Sequence, residues 1–188
     1  KIKKNTYIIM DIKSLTIYCS SSEKLDKKFY DLAEKIGFFL GQNQITLIYG
    51  GGNIGLMGKL SNAALKKGSN VIGVIPEFLK IGENLNLDIS KTIIVKTMSQ
   101  RKKILFEKGD AFLILPGGSG TIEEATEVIS WKILGVHKKP IIIFNFENYW
   151  NSMIEMYENS KKNRFGDKNL QSVCKIVKTF EEFSLLFK

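Results

Sequence analysis

The sequence predicts an α/β protein built on a parallel β-sheet with helices over both faces. Two observations lead to it. Short apolar runs alternate from end to end with segments whose apolar residues recur every three or four positions, so strand-like and helix-like patterns take turns. The runs are apolar throughout rather than at every second residue, which is the pattern of strands buried on both sides.

The elements follow in order. Residues 15–19 read as the first strand, and Ser20-Ser21-Ser22 as a polar turn able to cap the next helix. Over residues 25–40 the spacing of Leu25, Phe29, Leu32, Ile36 and Phe39 predicts a helix, with Phe38 and Phe39 at or near its core side. Residues 45–49 are the second strand and run into Gly50-Gly51-Gly52. A helix over 56–67 stops at Gly68, and residues 71–75 form a strand halted by Pro76. Residues 77–91 read as a loop with room for one helical turn. A short strand at 92–95 and a helix at 99–108 come next. The strand at 111–115 then ends in Pro116-Gly117-Gly118-Ser119-Gly120. A helix over 121–134 stops near Gly135, and Pro140 begins a strand at 141–144. A helix at 149–159, a strand at 173–177 and a helix from Glu181 complete the chain. Residues 1–13 read as an extension ahead of one domain over 14–188.

The chain has 188 residues, 44% hydrophobic and 25% charged, which is enough to bury a core without staples. Two cysteines, Cys19 and Cys174, exclude a disulfide framework or a structural zinc site. The single histidine, His137, removes most His-based metal chemistry, and neither a metal nor a cofactor is expected. Basic residues (28) outnumber acidic ones (19), giving +9, but the lysines are scattered along periodic segments. Solvated helix faces are expected from that scatter, not a nucleic-acid surface. No apolar run is long enough to span a bilayer, and Tyr7-Ile8-Ile9-Met10 is too brief for a signal-peptide core. The expected setting is cytoplasmic and reducing.

Both glycine clusters follow a strand directly and open a helix. That is the edge where open parallel sheets bind ligands and where backbone N–H groups face an anion. Gly50, Gly52 and Gly55 satisfy G-x-G-x-x-G, yet they follow the second strand, and the nearest acid after the next strand is Glu77, beyond Pro76. A dinucleotide site is disfavoured on that placement. Gly58-Lys59 is not a Walker loop, because Asn53 stands where its first glycine belongs and Leu60 replaces the hydroxyl residue. The second cluster is more specific. Residues 116–124 gather a glycine loop, a hydroxyl residue and two carboxylates. Thr121 with Glu124 is also a capping-box pattern, which accounts for the threonine and one glutamate but not for three glycines ahead of them. A turn shaped for close approach by a phosphate accounts for both.

These residues resemble a known family. Pro116-Gly117-Gly118-Ser119-Gly120-Thr121-Ile122-Glu123-Glu124 reproduces the P-G-G-x-G-T-x-x-E signature of the LOG (Lonely Guy) cytokinin riboside 5′-monophosphate phosphoribohydrolases. Tyr49-Gly50-Gly51-Gly52 with Gly55-Leu56-Met57-Gly58 matches that family's Y-G-G-G-x-x-G-L-M-G. Residues 71–76, Met98 with Arg101-Lys102, and residues 134–140 fall where the family has similar segments. The resemblance implies a Rossmann-like three-layer fold and at least a homodimer with sites near the subunit interface. It also implies hydrolysis of the N-glycosidic bond of a nucleoside 5′-monophosphate, releasing free base and ribose 5-phosphate. AMP and cytokinin nucleotides are both candidate substrates. The lysine decarboxylase label carried by many members finds no pyridoxal-phosphate lysine context here.

By the same resemblance Arg101 and Glu124 are catalytic. Glu83, Arg101, Lys102, Gly117, Gly118, Ser119, Gly120, Thr121, Ile122, Glu123 and Ser130 are expected to contact substrate. Cys19, Ser20, Gly51, Gly52 and Met98 are expected near the site. Ser130 replaces a common threonine and Ser20 a common glycine; Ser99, Gln100 and Ile133 replace histidine, glutamate and glutamine. These departures bear on base preference more than on the reaction. Glycosidic cleavage builds positive charge on ribose, which a carboxylate at Glu124 would stabilise, or it would activate water. Arg101, always protonated, would act electrostatically on phosphate or base. The competing reading is a module that holds a nucleotide or related phosphate ligand without cleaving it, and a NAD-dependent dehydrogenase is a distant third. Cys19 reads as a small buried hydrophobe rather than a nucleophile, and His137, Trp131 and Trp150 as packing residues.

Overall fold

The computed structural model describes residues 11–166 and 168–187. Its strands are β1 (Ser14–Tyr18), β2 (Thr46–Tyr49), β3 (Val71–Pro76), β4 (Lys91–Val95), β5 (Ala111–Ile114), β6 (Ile141–Phe144) and β7 (Lys175–Val177). They form one sheet in the order β4-β3-β2-β1-β5-β6-β7, and every pair is parallel. Helices α1 (Lys27–Gln42), α2 (Gly55–Lys66) and α7 (Phe180–Ser184) cover one face. Helices α3 (Met98–Lys108), α4 (Ser119–Ile133), α5 (Asn151–Lys162) and α6 (Leu170–Val173) cover the other. The continuous apolar runs follow from this. In β5, Ala111 and Leu113 pack into the α1–α2 core while Phe112 and Ile114 pack under α4, so neither set of side chains meets water. Among the described residues no helix is long and apolar enough to cross a membrane.

Several expectations need correction. Ser20 and Ser22 do not cap α1, whose N-cap is Asp26 with no side-chain bond. Their hydroxyls instead accept from Ser22 N (3.1 Å) and Lys24 N (3.3 Å), folding the turn on itself. Val173 ends a helical turn and lies outside β7, because Asn169 caps that turn by accepting from Ser172 N at 3.0 Å. The loop after β3 does contain one short turn, Glu77–Leu79. Of the residues read as an extension, 1–10 lie outside the described residues. Ile12 is buried in the core, and the backbone N–H of Lys13 donates to Asp110 at 3.0 Å.

Helix α3 has a polar sequence and buries only Arg101 and Leu105 completely. Apolar packing therefore supplies little of its attachment, and its C-terminal carbonyls supply more. Leu105 accepts from Thr16 Oγ1 (2.8 Å), and Phe106 and Glu107 accept from Lys139 Nζ (2.6 and 3.2 Å). Lys108 accepts from Ser14 Oγ (2.9 Å). All four carbonyls that a helix leaves unpaired at this end thus have partners on β1 or before β6, which anchors α3 against β1. Thr16→Val keeps the shape of this buried residue but strands the Leu105 carbonyl. It should lower stability by about 1–3 kcal/mol, read as a shifted urea midpoint at unchanged slope.

Candidate active site

The strand order reverses at β1, which has β2 on one side and β5 on the other. At such a switch point the loops leaving the strands diverge and open a crevice. A cavity of about 310 Å³ lies there. Its walls come from the end of β1 (Tyr18, Cys19, and the serines at 20–22), from Gly50 after β2, and from Met57 of α2. Glu83, Met98 and Arg101, the start of α4 at residues 118–121, and Glu123 and Glu124 close it.

The turn that begins α3 delivers Arg101. Thr97 caps the helix by accepting from Gln100 N at 3.2 Å, and the Gln100 side chain reaches back to accept from Lys96 N at 2.9 Å. Gln100, flagged from the sequence as a departure touching base preference, is occupied in starting the helix. Arg101 is 6% exposed. Its Nη2 donates to the Gly50 carbonyl at 3.4 Å and lies 3.7 Å from Glu83 Oε2, while its Nε has no hydrogen-bond partner. A β-carbon on residue 50 would collide with that guanidinium, which explains a glycine at the end of β2.

Three carboxyls share the cavity with this cation. Burial pushes the Glu83 carboxyl above its ordinary range, partly offset by Arg101. Glu124, half-buried, is raised from 4.5 to about 7. Desolvation dominates that shift, Glu123 and Glu83 add to it, and Arg101 and Lys102 oppose it. Cys19 is a free thiol pushed far above its usual range by burial and by the nearby glutamates, which favours the thiol over the nucleophilic thiolate.

Helix α4 begins earlier than its sequence suggests, and this overturns the capping-box reading. Gly118 is the N-cap, with no side-chain bond, and the first intrahelical bond runs from Ile122 N to the Gly118 carbonyl (3.0 Å). Thr121 is therefore inside the helix, 4% exposed, and packed on Gly117, where a β-carbon would come within 2.9 Å of its Cγ2. Glu124 falls in the second turn, too far along to cap. The amides of Ser119, Gly120 and Thr121 are left without intrahelical partners, and these residues line the cavity.

The cavity brings together Arg101, Glu124, Glu83, Glu123, Gly118, Ser119, Gly120, Thr121, Cys19, Ser20 and Met98. It does not include Lys102, Gly117, Ile122, Ser130, Gly51 or Gly52. The Lys102 ammonium pairs with Glu123 and, at 3.0 Å, with Glu127, tying α3 to α4. Gly117 presents its carbonyl to the Tyr149 hydroxyl at 2.8 Å. Ile122 is exposed, and Ser130 faces solvent well down α4. Ile17, Tyr18, Ser21, Ser22, Gly50 and Met57 are walls that were not expected from the sequence, although Gly50 and Met57 sit inside the first glycine motif. His137 is structural, its Nε2 lying 2.8 Å from the Val128 carbonyl, and both tryptophans pack: Trp150 is 3% exposed and Trp131 meets Phe106 edge-on.

Known proteins resemble this chain in sequence and in fold. The family model described as "possible lysine decarboxylase" matches residues 57–185. A cytokinin riboside 5′-monophosphate phosphoribohydrolase from Rhodococcoides fascians is 39% identical over 88% of this chain and 85% of its own. LOG4 of Arabidopsis thaliana, which bears the same enzyme name, is 37% identical over 90% of this chain and 82% of its own. Among solved structures, the molybdenum cofactor binding protein of Rippkaea orientalis superposes with a TM-score of 0.68 at 20% identity, covering 94% of this chain and 96% of that one. The molybdenum cofactor carrier protein of Chlamydomonas reinhardtii gives 0.66 at 15% identity, covering 92% and 93%. Likeness at these low identities speaks for the fold alone. The sequence identities reach further, and by them the chain belongs to the LOG family, that of the cytokinin riboside 5′-monophosphate phosphoribohydrolases.

Proposed function

We propose that this chain hydrolyses nucleoside 5′-monophosphates, cleaving the N-glycosidic bond to release free base and ribose 5-phosphate. Relatives over most of its length carry cytokinin riboside 5′-monophosphate in their names, and AMP offers the same ribose ester with plain adenine. One observation carries the reading. A desolvated guanidinium and a carboxyl titrating near 7 share a cavity with the unbonded amides of a helix start. A module that only holds phosphate needs the amides and the guanidinium, but gains nothing from a half-buried glutamate that opposes anion binding.

The 5′-phosphate would sit on the α4 amides, where the helix dipole favours negative charge. Binding energy collected there, away from the reacting bond, fixes the ribose for reaction. As the C1′–N bond breaks, its electron pair leaves with the base, which then takes up a proton. Water supplies the new C1′–O bond. Glu124 in its ionised form would stabilise the cationic sugar or take the proton of that water. Arg101 would act by its charge on the phosphate or the departing base. Glu123, tied to Lys102, would be left to contact the ribose hydroxyls. Two free thiols fit a reducing cytoplasm. The exposed Ile133, Leu134 and Val136 at the end of α4 form an apolar patch suited to a second copy, so a homodimer is the proposed working state.

Incubation with AMP and with isopentenyladenosine 5′-monophosphate should release free base, followed by chromatography. Glu124→Gln and Arg101→Ala should each lower kcat by roughly 10²-fold or more while eluting as wild type. The unphosphorylated nucleosides should turn over far more slowly, and equal rates would contradict the phosphate assignment. The working form of Glu124 is the carboxylate, so kcat/KM should rise with pH through about 7 and level off above it. That limb should vanish in Glu124→Gln, leaving only the substrate's own phosphate ionisation near about 6. The same shift has a stability consequence. A carboxyl whose folded pKa exceeds its unfolded value of 4.5 loses stability as pH climbs from there to about 7. Glu124→Gln should therefore melt higher than wild type at pH 8, and the gap should close towards pH 5.

A further inference from the structure

Next to the cavity, and lining none of it, runs a set of amides and hydroxyls, buried at Asn86 and Ser61, that the reaction does not use. Asn86 is its centre and is fully buried. Its Nδ2 donates to Ser61 Oγ and to Asn62 Oδ1, both at 3.1 Å, and its Oδ1 accepts from Asp88 N at 3.1 Å. Both amide hydrogens and the carbonyl are thus occupied, a set that neither aspartate nor alanine could replace. Asn62 continues the chain by donating to Asn53 Oδ1 at 3.0 Å. The backbone follows the same route. Asn86 N donates to the Gly51 carbonyl (3.0 Å), and Asn53 N donates to the carbonyls of Glu83 (3.0 Å) and Asn84 (2.8 Å).

Glu83 has little else to hold it. Its Oε2 is buried without a hydrogen bond, and its closest charged partner is Arg101 at 3.7 Å, so the backbone beneath it sets its position. That backbone belongs to a loop with weak apolar attachment: Phe78, Ile81 and Leu87 are 64%, 95% and 82% exposed. Immediately after Glu83 the chain turns through Asn84 at φ +47°, a left-handed conformation that asparagine tolerates and that needs an external hold to persist.

We propose that Asn86 is a positioning residue: with Ser61 and Asn62 it pins residues 83–86 to the first glycine turn and so keeps the Glu83 carboxylate beside Arg101. The inference deepens the hydrolase reading and rests on it for its kinetic arm. Asn86 touches no substrate; it acts through Glu83, and its loss should cost nothing once Glu83 has lost its charge.

A double-mutant cycle tests this directly. With AMP or isopentenyladenosine 5′-monophosphate as substrate, Asn86→Ala should lower kcat/KM about tenfold in the wild-type background and less than about twofold in Glu83→Gln. Equal fold-losses in both backgrounds, or none in either, would overturn the proposal. Should Asn86→Ala fail to fold, Asn62→Ala removes two bonds of the network from an exposed position, leaves those of Asn86 to Ser61 and Asp88, and carries the same cycle with a smaller loss. Amide hydrogen exchange gives a readout that does not depend on turnover. In Asn62→Ala the amides of Asn53 and Asn86 should exchange faster at unchanged melting temperature, and unaltered exchange there would count against the clamp. If the wild-type protein releases no base, the hydrolase reading fails, and exchange alone decides whether the clamp exists.

Discussion

Holding one guanidinium out of water is the constraint to which the carboxyl edge of this sheet answers. Arg101 is almost wholly buried, makes a single long bond to the Gly50 carbonyl and leaves its Nε unpaired. A cation so placed is costly unless opposite charge stands close by. Glu83 and Glu124 supply that charge and suffer desolvation in turn, and at Glu124 the charges of Glu123 and Glu83 raise the carboxyl further. The outcome is a cluster that cannot satisfy all its members at once: one cation faces several carboxyls, and one of these titrates near neutrality. A dianionic phosphate on the α4 amides would change the balance again. Perturbed groups of this kind, gathered in one crevice at a switch point, are the arrangement that marks a candidate reactive site.

Arg101 sits on a helix that would dissolve if left alone. Helix α3 carries a run of charged residues and few apolar ones, so it is held at its ends and sides by polar contacts. Thr16, Ser14 and Lys139 take its last four carbonyls, Thr97 and Gln100 close its first turn, and Lys102 bridges to Glu123 and Glu127 on α4. The two helices that contribute Arg101 and Glu124 are therefore fastened to each other and to β1. Precision at the cavity comes from this bracing, which converts a rigid sheet into fixed positions for charges.

Much of this could be read from residue order. The alternation of apolar runs and helical periods was enough for the parallel sheet, and the two glycine clusters marked the edge where the cavity lies. What could not be read is shown by two similar tetrapeptides. Thr121-Ile122-Glu123-Glu124 and Thr179-Phe180-Glu181-Glu182 both spell a capping box. The second is one, with Thr179 and Glu182 bonded reciprocally. The first is not, because the glycines ahead of Thr121 let the backbone enter the helix three residues sooner, with Gly118 as N-cap, which carries Thr121 to a buried place on the first turn and Glu124 to the cavity wall. Local chemistry was the same; the neighbouring backbone decided. Tyr18, Ser21 and Ser22 were equally hard to foresee as cavity walls, since their place depends on β1 lying between β2 and β5, a pairing that no single segment encodes.

The arrangement makes a single geometric claim, that a ribose phosphate is held by its phosphate on the opening turn of α4 with its anomeric carbon toward Glu124. A crystal structure of the protein soaked with ribose 5-phosphate tests it most directly. Phosphate oxygens are expected within hydrogen-bond distance of the amides of Ser119, Gly120 and Thr121, with the sugar between Arg101 and Glu124. A sugar phosphate seated elsewhere, with those amides still facing solvent, would contradict it.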